Sequence, residues 1–153
     1  MVLAVRVLPI YEDVAVSYEY LDHTADTIVH AKGSDLKEVF EQAALGYYNV
    51  ITDTKTVEPK IKKELTFESE DYESLLFDWI DNLIYFFGTE LFIASKIHIT
   101  KMEKLASNMI TLSAILHGEV FDLKKHPQES EVKAMTYSFM KIGENYVEFT
   151  LDL

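Results

Sequence analysis

The sequence predicts an α+β fold, a largely antiparallel β-sheet with two main amphipathic helices, and three observations point to it. Two segments, 36–51 and 71–87, carry apolar residues at helical spacing. Other stretches alternate with period two or are rich in β-branched and aromatic residues. Those stretches are mixed with the helices early on and then follow one another to the last residue, an order that suits an antiparallel sheet.

The first strand is expected over Val16–Leu21, and the turn-like Asp22-His23-Thr24-Ala25-Asp26 leads to a second over Thr27–Lys32. Gly33-Ser34-Asp35 breaks it, and Asp35 with Glu38 resembles a capping box. The helix that follows places Leu36, Val39, Phe40, Ala43, Ala44, Tyr47 and Ile51 on one face. After Pro59, Ile61–Glu68 alternates as a strand. Asp71 is expected to cap a second helix that ends at Phe87 with Gly88 as its stop. Its apolar stripe is broad, and Phe77, Tyr85 and Phe86 lie partly off it, as in a helix packed on two sides or one carrying an aromatic patch for a partner.

Strands are then expected over Lys96–Lys101, Asn108–Phe121 and Val132–Ile142, with Gly143-Glu144-Asn145 as a turn. The final stretch alternates cleanly, with Val147, Phe149, Leu151 and Leu153 on the core face and Glu148, Thr150 and Asp152 on the polar face. Residues 1–17 read as a loosely attached extension and 18–153 as a single domain.

Charge narrows the function. The chain has 153 residues, with 26 acidic against 14 basic and a formal charge of −12. Arg6 is its only arginine. Arginine is the preferred reader of phosphates and base edges, and a polyanion repels an acidic protein at long range. Stable direct nucleic-acid binding is therefore not expected, whereas basic protein surfaces and hard cations are natural partners. There are 0 cysteines, which excludes disulfides, thiolate zinc sites and cysteine nucleophiles and fits an intracellular compartment. No apolar run is long enough to span a membrane, and none of the phosphate-loop, dinucleotide or HExxH zinc patterns occurs. His30, His98 and His117 stand singly in strand patterns and read as structural.

Three local constellations carry possible chemistry. The final strand pattern is expected to hold the Leu153 carboxylate at a fixed place beside Asp152, where two carboxylates so close would repel unless a cation or proton intervened. A third carboxylate from another loop would complete an oxygen-rich site for Ca²⁺ or Mg²⁺; the alternative is a solvated, metal-free terminus. The Asp22–Asp26 turn holds two carboxylates, an imidazole and a hydroxyl, which reads as ordinary turn chemistry or as a general base at His23 oriented by Asp22. The segment 118–133 concentrates Lys124, Lys125, His126 and Lys133 in an otherwise acidic chain. It is either a solvated connection or a surface for phosphate or carboxylate.

In order, Tyr18-Glu19-Tyr20-Leu21-Asp22-His23-Thr24-Ala25-Asp26, Leu75-Leu76-Phe77, Gly118-Glu119, Lys125-His126-Pro127, Glu131-Val132-Lys133-Ala134, Thr136-Tyr137 and the terminal Asp152-Leu153 resemble the archease family. The resemblance implies a metal site formed by Asp26, Asp152 and the main-chain carboxylate of Leu153, taking a divalent cation, Ca²⁺ or Mg²⁺. Many members end in Asp-Ile where this chain ends in Asp-Leu, a change that a main-chain ligand tolerates. Asp22 and His23 are expected to orient Asp26. Lys125, His126, Glu131 and Lys133 are expected to form a patch that faces the partner or supports the site. The function implied is that of a non-catalytic cofactor of an RtcB-type tRNA-splicing RNA ligase, promoting guanylylation and multiple turnover. Rival readings are a chaperone-like modulator of nucleic-acid-processing proteins and a metal-dependent phosphoesterase built on Asp22, His23, Asp26 and Asp152.

Overall fold

The structure is a computed structural model that describes residues 16–22 and 26–153. Strands β1 (Ser17–Asp22) and β2 (Asp26–Lys32) precede helix α1 (Leu36–Ile51), and a short 3-10 turn at Thr54–Thr56 leads to β3 (Ile61–Ser69). Helix α2 (Tyr72–Glu90) is followed by β4 (Phe92–Lys104), β5 (Ile110–Val120), β6 (Ala134–Ile142) and β7 (Tyr146–Asp152). The strands form a four-stranded sheet in the order β1-β2-β7-β6 and a three-stranded sheet in the order β3-β5-β4, antiparallel throughout. Among the described residues the chain is thus α+β with two α-helices, as the sequence predicts.

Both helices are shared between the sheets. Helix α1 packs on β1, β2 and β7 of one sheet and on β4 of the other, and α2 packs on β6 as well as on β3, β4 and β5. Trp79 shows why the wide apolar stripe of α2 is needed. It is fully buried, stacks on Phe67 of β3 and donates its indole N–H to the Phe40 carbonyl of α1 at 2.9 Å. On another side of the same helix Phe77 stacks on Tyr137 of β6. Truncating a buried aromatic of this kind costs about 3–5 kcal/mol.

Both helix starts follow the sequence. Asp35 accepts from the Glu38 amide at 2.9 Å, while the Glu38 carboxylate reaches Ser34 rather than Asp35. Asp71 and Ser74 exchange side-chain and backbone hydrogen bonds in a full capping box.

Several boundaries differ from expectation. Helix α2 runs through Gly88 to Glu90, and the left-handed position that ends it is taken by Leu91, at φ 54°. Strand β4 begins at Phe92, because Phe92, Ile93 and Ala94 are all buried and so lack the alternation that betrays a half-exposed strand. Strand β5 starts at Ile110 after a turn with Asn108 at φ 71°, and β6 starts at Ala134. Thr150 is buried, donating to the Ser138 carbonyl at 2.6 Å, and so leaves the polar face assigned to it. Of the extension 1–17, residues 1–15 lie outside the described residues, and Ser17 already pairs with Lys32 in β1.

Candidate functional site: the carboxylate end of the central strands

Strands β2 and β7 are neighbours at the centre of the four-stranded sheet, and their register sets Asp26 directly opposite Asp152. The register is held by the core: Val29, Ala31, Val147, Phe149 and Leu151 are all fully buried, and a one-residue slip would turn each of them outward. On the far side of β7, Asp152 pairs with Ala134, and its carbonyl accepts from the Lys133 amide at 2.8 Å. Three segments distant in sequence therefore bring Asp26, Asp152 and Lys133 to one end of the sheet, with Leu153 the next residue after Asp152. Opposed like charges on neighbouring strands disfavour the pairing. Both carboxylates are nonetheless only half-exposed at this end.

Of the other residues named from the sequence, His23 lies outside the described residues, and Asp22 is placed by its backbone pairing with Thr27. Among the described residues no group of three or more His, Cys, Asp or Glu side chains is arranged to hold a metal ion. The third donor expected from the sequence is a main-chain carboxylate, outside that class of side chains.

The expected patch divides. Glu131 and Lys133 are exposed, Lys133 beside Asp152. Lys125 and His126 are instead held at the end of β5 by Glu119. His126 is fully buried, unlike the exposed Lys125, Glu131 and Lys133. Its Nδ1 accepts from the Asp122 amide at 3.0 Å, which leaves the proton on Nε2 to donate to Glu119 at 3.1 Å. Glu119 also accepts from the Glu58 amide at 2.6 Å and from the Lys125 ammonium at 2.9 Å. Burial raises the pKa of Glu119, but the Glu58 amide, Lys125 and His126 together outweigh it and hold the carboxyl down at about 2. Lys125 reaches Glu58 as well, at 2.6 Å, and that contact lowers the Glu58 pKa and raises its own. The segment 127–132 then runs from this clamp to Lys133, with the Glu129 amide bonded to the Ile51 carbonyl.

Glu119 is the residue that sequence reasoning left without a role. Period-two reading of β5 puts it outside and Val120 inside, yet Glu119 is 8% exposed and Val120 52%. The only hint was Gly118 before it: a Cβ there would lie 1.8 Å from the Ile93 carbonyl oxygen, so β4 and β5 approach each other as only glycine allows.

The model of the Archease protein family (MTH1598/TM1083) matches residues 18–153. The chain belongs to the archease family. It is 41% identical to Protein archease of Danio rerio over 138 residues, 88% of this chain and 82% of the fish protein. It is 39% identical to Protein archease of Sulfurisphaera tokodaii over 140 residues, 89% of this chain and 98% of the archaeal one. The solution structure of Methanobacterium thermoautotrophicum protein 1598 superposes with a TM-score of 0.77 at 33% identity, covering 91% of this archease and 100% of that chain. No helix among the described residues is long and apolar enough to cross a membrane.

Proposed function

We propose that this archease is a non-catalytic, intracellular activator of an RtcB-type tRNA-splicing RNA ligase, acting through a divalent cation, Ca²⁺ or Mg²⁺, held at its carboxylate end. The observation that carries the reading is the pairing of Asp26 with Asp152 at one end of the sheet. The donor set fits a hard cation: two carboxylates from neighbouring strands, joined by the Leu153 main-chain carboxylate, are all oxygen ligands. Such an ion supplies concentrated positive charge at the sheet's end and relieves the repulsion between the two aspartates. Lys133, whose amide is fixed on Asp152, stands beside it as a cationic side chain for phosphate. The Glu119–His126–Lys125 clamp supports the loop that carries Lys133 to that end.

The rest of the surface suits an accessory role. A charge of −12 favours encounter with a basic, RNA-handling enzyme and disfavours stable direct RNA binding. Activation then follows from tighter binding to the guanylylation-competent form of the ligase than to its other forms.

The test is ligase guanylylation with and without this archease, repeated in chelator. Stimulation that chelator removes and that Asp26→Ala and Asp152→Ala both lack supports the reading. Undiminished stimulation by both folded variants rules out the metal-dependent mechanism, and phosphoester turnover by the archease alone points to the hydrolase reading.

A further inference from the structure

The end of β5 and the turn after it carry a feature that the cation site does not use. Leu91, just past α2, and Val120, the last residue of β5, line an open groove of about 630 Å³ together with Phe121, Asp122, Leu123 and Lys124. Grooves of this size hold small ligands and the anchoring side chains of partners. Leu91 is 46% exposed, Val120 52% and Leu123 66%. Among the described residues only Val16 and Ile61 are valines, leucines or isoleucines exposed in the same way. Aliphatic exposure is therefore gathered in this groove rather than scattered over the surface.

The walls are fixed from behind. The Leu91 carbonyl accepts from the Phe121 amide at 2.7 Å, and the Phe121 ring contacts both Phe87 of α2 and the buried His126. The His126 ring accepts from the Asp122 amide, and the His126 amide donates to the Asp122 carbonyl at 2.6 Å. The turn that carries Leu123 and Lys124 is thus closed on a buried side chain. Leu91 itself stands at φ 54°, where glycine is the ordinary helix stop and a leucine costs stability. Backbone strain that serves to place an apolar side chain on the surface is a cost met at binding sites.

Charge at the groove narrows what fits it. Lys124 is exposed, and among the described residues its ammonium makes no ion pair. Lys125 is taken by Glu58 and Glu119, and the Asp122 carboxylate accepts from the Lys124 amide at 2.9 Å. A phosphate group brings more charge and more acceptor oxygens than one ammonium satisfies. A lone ammonium beside apolar walls suits a single carboxylate instead. We infer that this groove is a docking site for a protein segment that carries an apolar side chain followed by a carboxylate. Such a segment is opposite in sign to the basic enzyme that the acidic surface as a whole favours, so the inference stands independently of the ligase reading.

The test is a 15N-resolved NMR titration with a capped Leu-Phe-Asp-Glu peptide, alongside Leu-Phe-Lys-Lys and Ser-Ser-Asp-Glu. The first should perturb 91 and 120–124 and bind about tenfold more tightly than the serine peptide, the worth of one buried apolar side chain. Leu91→Gly removes one wall and relieves the backbone strain at once, so it folds at least as well as wild type. Combined with Leu123→Ser it should weaken binding of the first peptide about tenfold. Ile61→Ser, at an exposed aliphatic position outside the groove lining, should leave binding unchanged. Lys124→Gln should weaken it about two- to fivefold at low salt, as for an exposed ion pair, and abolish the preference over the lysine peptide. Perturbations spread evenly over the surface, or a Leu91→Gly, Leu123→Ser double variant that binds as wild type does, overturn the inference. Equal binding of the acidic and lysine peptides overturns the choice of a carboxylate. Perturbations at 91 and 120–124 that grow with protein concentration in the absence of peptide assign the groove to a second copy of the chain and overturn it as well.

Discussion

Asp26 and Asp152 face each other across the β2–β7 ladder, joining the start of one central strand to the end of the other. The core holds them there: Val29, Phe149 and Leu151 fix the register whether or not the two charges are at ease with it.

Like charges on directly opposed strand positions disfavour pairing by about 0.2–1 kcal/mol. In chelator, Asp152→Asn should therefore raise the melting temperature by about 1–2 °C, measured by calorimetry or fluorescence. In millimolar Ca²⁺ or Mg²⁺ the order should invert, because only wild type gains from binding. A variant that is less stable than wild type in chelator contradicts the pairing argument.

The Glu119 clamp has its own acid signature. Its carboxyl sits at about 2 when folded, below the ordinary 4.5, so the unfolded chain binds more protons between those values. Stability from this group is full above about pH 4.5 and is lost as pH falls toward 2. Glu119→Gln should cost about 2 kcal/mol at pH 7, the worth of hydrogen bonds to a charged group, and show a shallower loss of stability between pH 4.5 and 2. Denaturant midpoints across that range check both.

Gly118→Ala should destabilise by about 3 kcal/mol, because the added methyl would overlap the Ile93 carbonyl and push β4 from β5. Unfolding curves at neutral pH decide it, and a change under about 0.5 kcal/mol would show that the strands separate at little cost.

Leu91 closes α2 in the left-handed region and is 46% exposed, so little packing opposes a change to glycine. Leu91→Gly should stabilise the fold by about 1 kcal/mol, read as a higher denaturant midpoint with unchanged slope. A lower midpoint would mean that its half-exposed side chain matters more than its backbone.

Much of this arrangement was legible in the sequence wherever one side of an element meets solvent. The clean alternation of Val147, Phe149 and Leu151 gave the last strand its face, and the apolar stripe of 36–51 gave α1 its own. Legibility failed where local pattern and tertiary demand diverge. Phe92–Ala94 alternate with nothing because they are buried without a break, and Glu119 is inside because Lys125, His126 and the Glu58 amide come from elsewhere to meet it. The continuation of α2 past Gly88 and the β6 bulge are decided by backbone geometry at Leu91 and Phe139, residues whose identities give no warning of it. Asp26 and Asp152 could be named from family likeness, but their opposition across the ladder is a product of strand order, which no local pattern encodes.

We propose that carboxylates from two strands act as one cation site. Titration calorimetry of Ca²⁺ and of Mg²⁺ into wild type, Asp26→Asn and Asp152→Asn tests it most directly. One ion bound per wild-type chain, with binding abolished in both variants while each remains folded, is the predicted result. Binding that survives both substitutions, or a wild-type chain that takes up neither ion, contradicts it.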